Sequence, residues 1–493
     1  MKNAKRIALL SVLALLLVFA AACRNDNDGG TAQPDPDPTP APEAVTPAPT
    51  PDPATPAEPE PADEPVGGLI RDIGREIRIV CWWQYMPNTA DPQPDPATEA
   101  NYLNARMWRD NQMRVEEAFN VTFTNLEIPR PEIMAPLTAS VLAGDPMAEW
   151  VMLGSEHMIS AIQGELMLSA DQYAAPDSDM MTNRLFVRPE VIFQDRIWAF
   201  GRTSLNSQGP ALGVNLDIIN AIGAPNPVDL WERGEWNWDA FREIMLLATR
   251  DTTGDGTMDQ FGLSGNPDAI TFNLIASNNG RMVNPDTMTY SFDEPNTMAA
   301  LELVYDIFSN RWWYYDALSG NPMGDWSRDH NAFWDGRSAL FTTGSWVFEG
   351  GNFPTFEHAA VPWPQGPNGV GYVGLRGFPQ GMTIPTGSYN PHDLFMLYEE
   401  IQSWARDDMD LMTFGSYDYA RRSWLTEGDV YRVLHVIGNP ELHKFDIGMA
   451  IPHYPWIVTT FARHFFNGTM TVSQAVEAYR PPQQELIDEI FGN

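Results

Sequence analysis

Between residues 75 and 155 the spacing of apolar and polar positions switches repeatedly between two periods. Residues 75–83, REIRIVCWW, alternate and then become continuously apolar, which predicts a buried strand. Over 102–120 the apolar positions Leu103, Met107, Val115, Ala118 and Phe119 recur at roughly helical spacing. Val121 opens a second strand, VTFTNLEIP. PEIMAPLTASVLAGD predicts a helix closed by Gly144, and EWVMLGS, 149–155, a third strand with a loop at its end. Strand, helix, strand, helix, strand is the pattern of an open parallel α/β sheet. Such sheets hold ligands beyond the carboxyl ends of their strands. That rule singles out Trp82, Trp83, Gln84 and Tyr85 after the first strand, and Gly154, Ser155 and Glu156 after the third.

The first 67 residues follow neither period. Residues 1–23 begin with Lys2, Lys5 and Arg6, continue as an apolar run from Ile7 to Phe19, and end in three alanines and Cys23. This is the pattern of a secretory signal, too short to serve comfortably as a spanning helix. The cysteine directly after the small residues makes the segment resemble a bacterial lipoprotein signal, with Cys23 as the lipidated first residue. Ordinary cleavage beside an incidental cysteine is the other reading. Diacylation would hold the mature chain at the outer face of a membrane. Residues 24–67 are rich in Pro, Ala, Thr and acid and cannot bury a core, so they read as a disordered tether with polyproline II character. At about 3.1 Å per residue it would extend on the order of 130 Å.

Composition narrows the function classes. The 493 residues carry 30 Lys and Arg against 65 Asp and Glu, a formal net charge of −35. A nucleic-acid binder needs a basic face, so that class is excluded, as is electrostatic docking on anionic lipid. Two cysteines, Cys23 and Cys81, exclude a disulfide scaffold and a Cys-based zinc site. Cys81, inside the first strand, reads as a buried thiol. No Gly-x-Ser-x-Gly, HExxH, P-loop or Gly-x-Gly-x-x-Gly occurs, and the eight histidines, among them His157, His330, His358 and His453, show no ligand spacing. The chain therefore reads as no enzyme. A secreted, tethered glycoside hydrolase is the rival reading, since it too would be acidic and rich in Trp and needs only two suitably spaced carboxylates. A non-catalytic carbohydrate-binding surface protein is the third class.

The order of segments beyond residue 76 resembles the extracellular solute-binding proteins of sugar ABC transporters, the maltose-binding-protein-like family 1. The resemblance is carried by the strand ending in Trp-Trp, the helix ending EEAFN, LTASVLAGDPMAEWVML, and DRIWAFGRTSLNSQGPALGVNLDIINAIGAPNP. WNWDAFREIMLLAT, SALFTTGSW and AAVPWPQGPNG continue it to about residue 405. It implies an α/β fold of two lobes, the type II periplasmic-binding-protein architecture, with open sheets, flanking helices and a hinge. The implied lobes are 68–203 with 360–408, and 204–359 with 409–493. AAVPWPQGPNG would be the strand that returns to the first lobe. The implied function is a monomeric, lipid-anchored extracellular receptor that captures a carbohydrate, with an oligosaccharide expected, and closes around it. It would then deliver the sugar to a permease powered by a separate ATPase. No cofactor is required.

A sugar site needs aromatic faces for pyranose C–H surfaces and planar polar groups for hydroxyls. The 17 tryptophans supply many candidates. Trp108, Trp231, Trp236 and Trp238 read as packing. Loop aromatics include Trp312 to Tyr315, Trp326, Trp363, Tyr454 and Trp456. Trp346, by resemblance to the family's Gly-x-Trp segment, and Trp83 or Tyr85, by their position at a strand end, are favoured for stacking. The favoured polar partners are Asp145, Ser155, Glu156, Asn206, Asn278, Asn279 and Arg376. Asn278-Asn279-Gly280 reads equally as a turn that favours positive φ. In DTTGDGTMDQFG, 251–262, Asp251, Thr253, Asp255 and Asp259 stand at the first, third, fifth and ninth positions of a calcium-loop pattern, but Gly262 stands where the bidentate Glu belongs. A structural calcium and a self-bonded solvated turn are both open readings.

Overall fold

The chain builds two four-stranded sheets, the strands of 75–155 all falling in the first. The computed structural model describes residues 71–83, 85–86, 103–182, 192–201, 208–314, 332–344, 354–375, 380–404, 426, 428–429, 431–432, 436 and 442–492. The strands of the two sheets are β1 (Arg75–Cys81), β2 (Val121–Glu127), β3 (Trp150–Gly154), β4 (Gln208–Asn215), β5 (Phe261–Gly265), β6 (Ser338–Gly344), β7 (His358–Pro362) and β8 (Gln380–Thr383). The helices that matter below are α1 (Leu103–Phe119), α2 (Met134–Leu142), α3 (Ser155–Gln163), α4 (Leu216–Ile222), α5 (Trp238–Ala248), α6 (Pro267–Ser277), α7 (Pro295–Ser309), α8 (Pro391–Gln402), α9 (Ile457–Asn467) and α10 (Val472–Phe491). None of the described helices is long and apolar enough to cross a membrane.

The first sheet has the order β8-β3-β1-β2. β1 runs parallel to β2, from Arg75 opposite Val121 to Cys81 opposite Glu127, and parallel to β3, with Ile79 opposite Trp150. β8 is antiparallel to β3. Ile77, Ile79, Val80, Cys81 and all five residues of β3 are buried, as expected of a strand covered on both faces. Gly144, just past α2, adopts φ of 72° and ends that helix as the sequence predicts.

The second sheet is mixed, with the order β7-β4-β6-β5. β4 is antiparallel to both β6 and β7, while β6 and β5 are parallel. Asn215 begins α4 by accepting a hydrogen bond from the Ile218 amide, and Gly223, with φ of 68°, ends it. Thr471 and Gln474 form a capping box at the start of α10. The tryptophan surplus is largely spent here. Trp236, Trp313 and Trp363 are fully buried in the second-lobe core. Their environment is not purely apolar: the Trp236 indole donates to the Pro362 carbonyl at 2.8 Å and the Trp313 indole to the Gly265 carbonyl at 2.8 Å. Trp238 is buried as well, and Trp108 and Trp231 are half-buried, all in packing positions.

One expected boundary moves. AAVPWPQGPNG does not return to the first lobe: β7 pairs with β4 in the second sheet, and Trp363, Val373 and Leu375 pack in the second-lobe core. The chain re-enters the first sheet only with β8, some twenty residues beyond the expected position near 360. β7 is an edge strand, and both backbone groups of Ala360 are taken by a clamp from far along the chain. Its amide donates to Asp429 at 2.6 Å and its carbonyl accepts from Arg432 Nε at 2.8 Å. Asp429 and Arg432 are themselves a buried ion pair three residues apart. α8 packs in the first lobe through Leu394, Phe395, Leu397, Tyr398 and Ile401, and α9 and α10 pack on the second.

Candidate functional site

The carboxyl end of β3 runs directly into α3, which puts Ser155, Glu156 and His157 on the first turn of a helix. Glu156 is 3% exposed, and its carboxylate accepts from Arg130 Nε and Nη2, each at 2.7 Å. An anion at a helix N-terminus is favoured by the helix dipole. The Arg130 guanidinium in turn lies 4.9 Å from the centre of the Trp82 ring. The pair sits over Gly154, where a Cβ would come within 2.4 Å of both Arg130 Nη2 and Glu156 Oε2. Only glycine leaves room for this arrangement at the strand end. His157 is half-buried. Burial pushes its imidazole below the usual histidine range; Glu156 opposes that shift, and Arg130 and His453 reinforce it.

The second lobe meets this helix with the turn Ile447–Ala450. Asp446 is buried and accepts from the amides of Met282 at 2.6 Å and Gly448 at 2.8 Å, which caps the turn Ile447–Ala450. Burial pushes its carboxyl up to about 6, against the pull of those amides. The lobes touch along α3: Ser155 Oγ donates to the Met449 carbonyl at 2.8 Å, and at the other end of the helix Gln163 donates to the Ile490 carbonyl at 2.6 Å. Beyond Met449, His453 takes φ of 62°, and its ring lies 5.8 Å from that of Trp456. Trp456 is 42% exposed, in contrast to the buried indoles of the core. Behind it Thr459, on α9, donates to the buried carboxylate of Asp268, near the start of α6. Burial pushes that carboxyl up to about 6 as well.

The residues favoured from sequence divide unevenly around this geometry. Ser155 and Glu156 belong to it, though both already have protein partners. Trp83 is half-buried at the end of β1, with ring centres 5.0 Å from Trp82 and 6.4 Å from Tyr85. Tyr85 is not a stacking surface: it is 2% exposed, lies 3.2 Å from the Tyr398 hydroxyl and accepts from Gln402 at 3.1 Å. Asp145 is exposed on the turn before β3, at the opposite end of that strand from Ser155. Asn278 is buried at the far end of α6, donates to the Asn296 carbonyl and accepts from the Asn368 amide, a structural role. Asn279 takes φ of 55°, the turn reading of that loop, and accepts from Lys444. Asn206, Trp346, Arg376 and the lipidation candidate Cys23 lie outside the described residues.

In the 251–262 loop Asp251 accepts from the amides of Thr253, Gly254 and Gly256, and Asp259 from Thr252. The Gly256 amide above all holds the Asp251 carboxyl below its usual range, and the Thr252 amide does the same for Asp259. Asp255 accepts from the Thr257 amide. These are the bonds of a self-closed turn. Among the described residues no group of three or more His, Cys, Asp and Glu side chains is placed to hold a metal ion.

Sequence reasoning did not favour Arg130, His157 or Trp456. The signal for Trp456 was available in Tyr-Pro-Trp, where a proline fixes a turn between two aromatics and only one of them can face inward. Arg130 and His157 had no such mark.

No protein-family profile and no curated protein matches the sequence. Solved structures do match in three dimensions. The sugar-binding protein MalE of Xanthomonas citri is 13% identical, with 85% of this chain and 99% of that chain covered and a TM-score of 0.59. An ABC substrate-binding protein of Listeria monocytogenes in complex with cycloalternan is 14% identical over 85% of this chain and 99% of that one, TM-score 0.58. The GacH receptor of Streptomyces glaucescens, solved unliganded and with acarbose, is 14% identical over 85% and 100%, TM-score 0.55. What the chain shares with these proteins is their fold, the two-lobed architecture of periplasmic binding proteins.

Proposed function

We propose that this chain is the extracellular solute-binding receptor of an ABC importer, held at the membrane through a lipid on Cys23, and that it captures a carbohydrate between its lobes for a permease. The observation that carries the reading is Trp456: an exposed indole on the second lobe, seven residues past Met449, whose carbonyl accepts from Ser155, the neighbour of Glu156 on the other lobe. An aromatic face next to planar polar groups at strand carboxyl ends is what a pyranose needs. Neighbours of the same fold support the ligand class, since their solved complexes hold maltotriose, mannotriose, acarbose and cycloalternan. In this reading the lobes exchange between open and closed forms, and a ligand that touches both shifts the population to closed. The protein's own residues bind and orient the sugar; no cofactor and no bond cleavage are involved.

The test is a thermal-shift screen of residues 68–493 against mono- and oligosaccharides, followed by recovery of the sugar. A ligand at about 100 times its dissociation constant adds about 2.7 kcal/mol of stability. Trp456→Ala is expected to abolish the shift while leaving the unliganded melting temperature nearly unchanged, because the ring is exposed. Stabilisation with cleaved sugar would establish the hydrolase instead. No response to any sugar would remove the ligand class.

A further inference from the structure

We propose that the last turn of α10 is a brace between the lobes, which holds them in their present arrangement and sets how readily they rotate. Its effect on capture rests on the receptor reading above; its effect on the ligand-free lobes does not.

α10 belongs to the second lobe for most of its length. Val472, Ala475, Val476 and Ile487 are buried in the second-lobe core. Gln484 accepts from the Tyr290 amide at 2.8 Å and donates to the Met288 carbonyl at 3.2 Å. Pro481 and Pro482 lie inside the helix, and each lacks the amide that would bond the preceding turn. The helix's own ladder is thinned there, and the ties of Gln484 and Ile487 direct the segment beyond.

That segment ends on the first lobe. The Ile490 carbonyl accepts from Gln163 Nε2 at 2.6 Å, and the Phe491 ring lies 6.2 Å from that of Phe193. Phe193 is fixed to the first lobe. Ile192–Phe193 pairs antiparallel with Arg196–Ile197 through a turn in which Gln194 and Asp195 both take positive φ. The Trp198 indole donates to the Phe193 carbonyl at 2.9 Å, and Phe193 packs against the cores of both lobes. Ile159, one turn before Gln163 on α3, is 2% exposed and packs in the second-lobe core, although its helix belongs to the first lobe.

The position of the brace gives it leverage. Ser155, Ile159 and Gln163 are spaced four apart and form one stripe of α3, with Gln163 about 12 Å along the helix from Ser155. A rotation of about 10° that swings α3 about the Ser155–Met449 contact would carry Gln163 about 2 Å from Ile490, enough to break the hydrogen bond. Such a rotation gives up the brace. Trp456, the proposed stacking face, is 42% exposed in this arrangement, so the form that the brace holds is the receiving one. Capture works against the brace, and loosening it makes closure easier.

The experiment compares wild type with Gln163→Ala and Phe491→Ala, one change on each lobe. The control is Gln474→Ala, which weakens the opposite end of α10 at an exposed position of the capping box. Each protein is confirmed folded by circular dichroism; Gln163 is exposed, so its variant keeps the test open if Phe491→Ala fails to fold. Small-angle scattering of ligand-free protein reads the lobe arrangement, and titration with maltotriose, mannotriose and cycloalternan reads capture. Gln163→Ala and Phe491→Ala are expected to be more compact than wild type without ligand and to bind sugar about five- to tenfold more tightly, the range of one or two contacts of ordinary net strength. A merely structural loss at the helix end would lower the melting temperature without tightening binding. Gln474→Ala is expected to keep wild-type dimensions and affinity. Wild-type dimensions in a folded Gln163→Ala or Phe491→Ala protein overturn the proposal, as does the same compaction in Gln474→Ala. If no sugar binds wild type, the receptor's ligand class fails, and the ligand-free dimensions still decide the brace.

Discussion

The two lobes solve the same problem, covering a four-stranded sheet, with the same kinds of side chain in different proportion. The first-lobe interior is tied by hydroxyls and an amide, with Tyr85 beside Tyr398 at 3.2 Å and bonded by Gln402 at 3.1 Å, and with the Trp150 ring 5.4 Å from that of Tyr398. The second-lobe interior is filled by large indoles, Trp236, Trp313 and Trp363, each fully buried. Polar ties between distant segments tolerate small losses, because the hydroxyl of a phenol contributes little beyond its ring. Indole packing does not, because an indole leaves a large cavity when removed. The second lobe also carries the buried carboxylates Asp268 and Asp446, which burial pushes up to about 6, so its stability varies with pH in that range.

The sharpest way to break this comparison is Trp313→Ala. It removes a fully buried ring and the bond to Gly265, and about 3–5 kcal/mol should be lost in chemical denaturation. Tyr398→Phe in the first lobe should cost about 1 kcal/mol. Equal losses would show that the two interiors are energetically alike. Next in size is Asp446→Asn. The folded carboxyl titrates at about 6, above its ordinary value of 3.8, so wild type is favoured in acid and loses that contribution as pH rises through about 6. The Asn variant should flatten stability between about pH 4 and 6.5, measured by urea midpoints. An unchanged slope would assign the pH dependence elsewhere. The smallest expected effect is Thr471→Ala, which removes the capping box of α10 and should cost about 1 kcal/mol.

The first sheet was legible because its pattern is local. Alternation and helical spacing in 75–155 give β1, α1, β2, α2 and β3 with ends within about three residues. What was not legible depends on contacts far along the chain. AAVP reads as a strand in either lobe, and it is assigned by antiparallel pairing with β4 and by Asp429 and Arg432 some seventy residues later. Tyr85 stands at a strand end, as a binding residue should, but its direction is set by Tyr398 and Gln402, more than three hundred residues away. The partners of Asn278 are distant in the same way, since Asn296 and Asn368 take up its amide. Ser155 and Glu156 do lie at the strand end, because the strand-end rule concerns the backbone, which a local pattern does predict.

The clamp on β7 has a consequence for life in a crowd. An edge strand with a continuous row of open amides and carbonyls is a template for another molecule's strand. Here Asp429 and Arg432 occupy both backbone groups of Ala360, in the middle of the five-residue edge. A foreign strand laid along β7 would find its ladder interrupted at the centre, with a buried ion pair in its path. At this edge, crowding brings neighbours together without offering them a strand to extend.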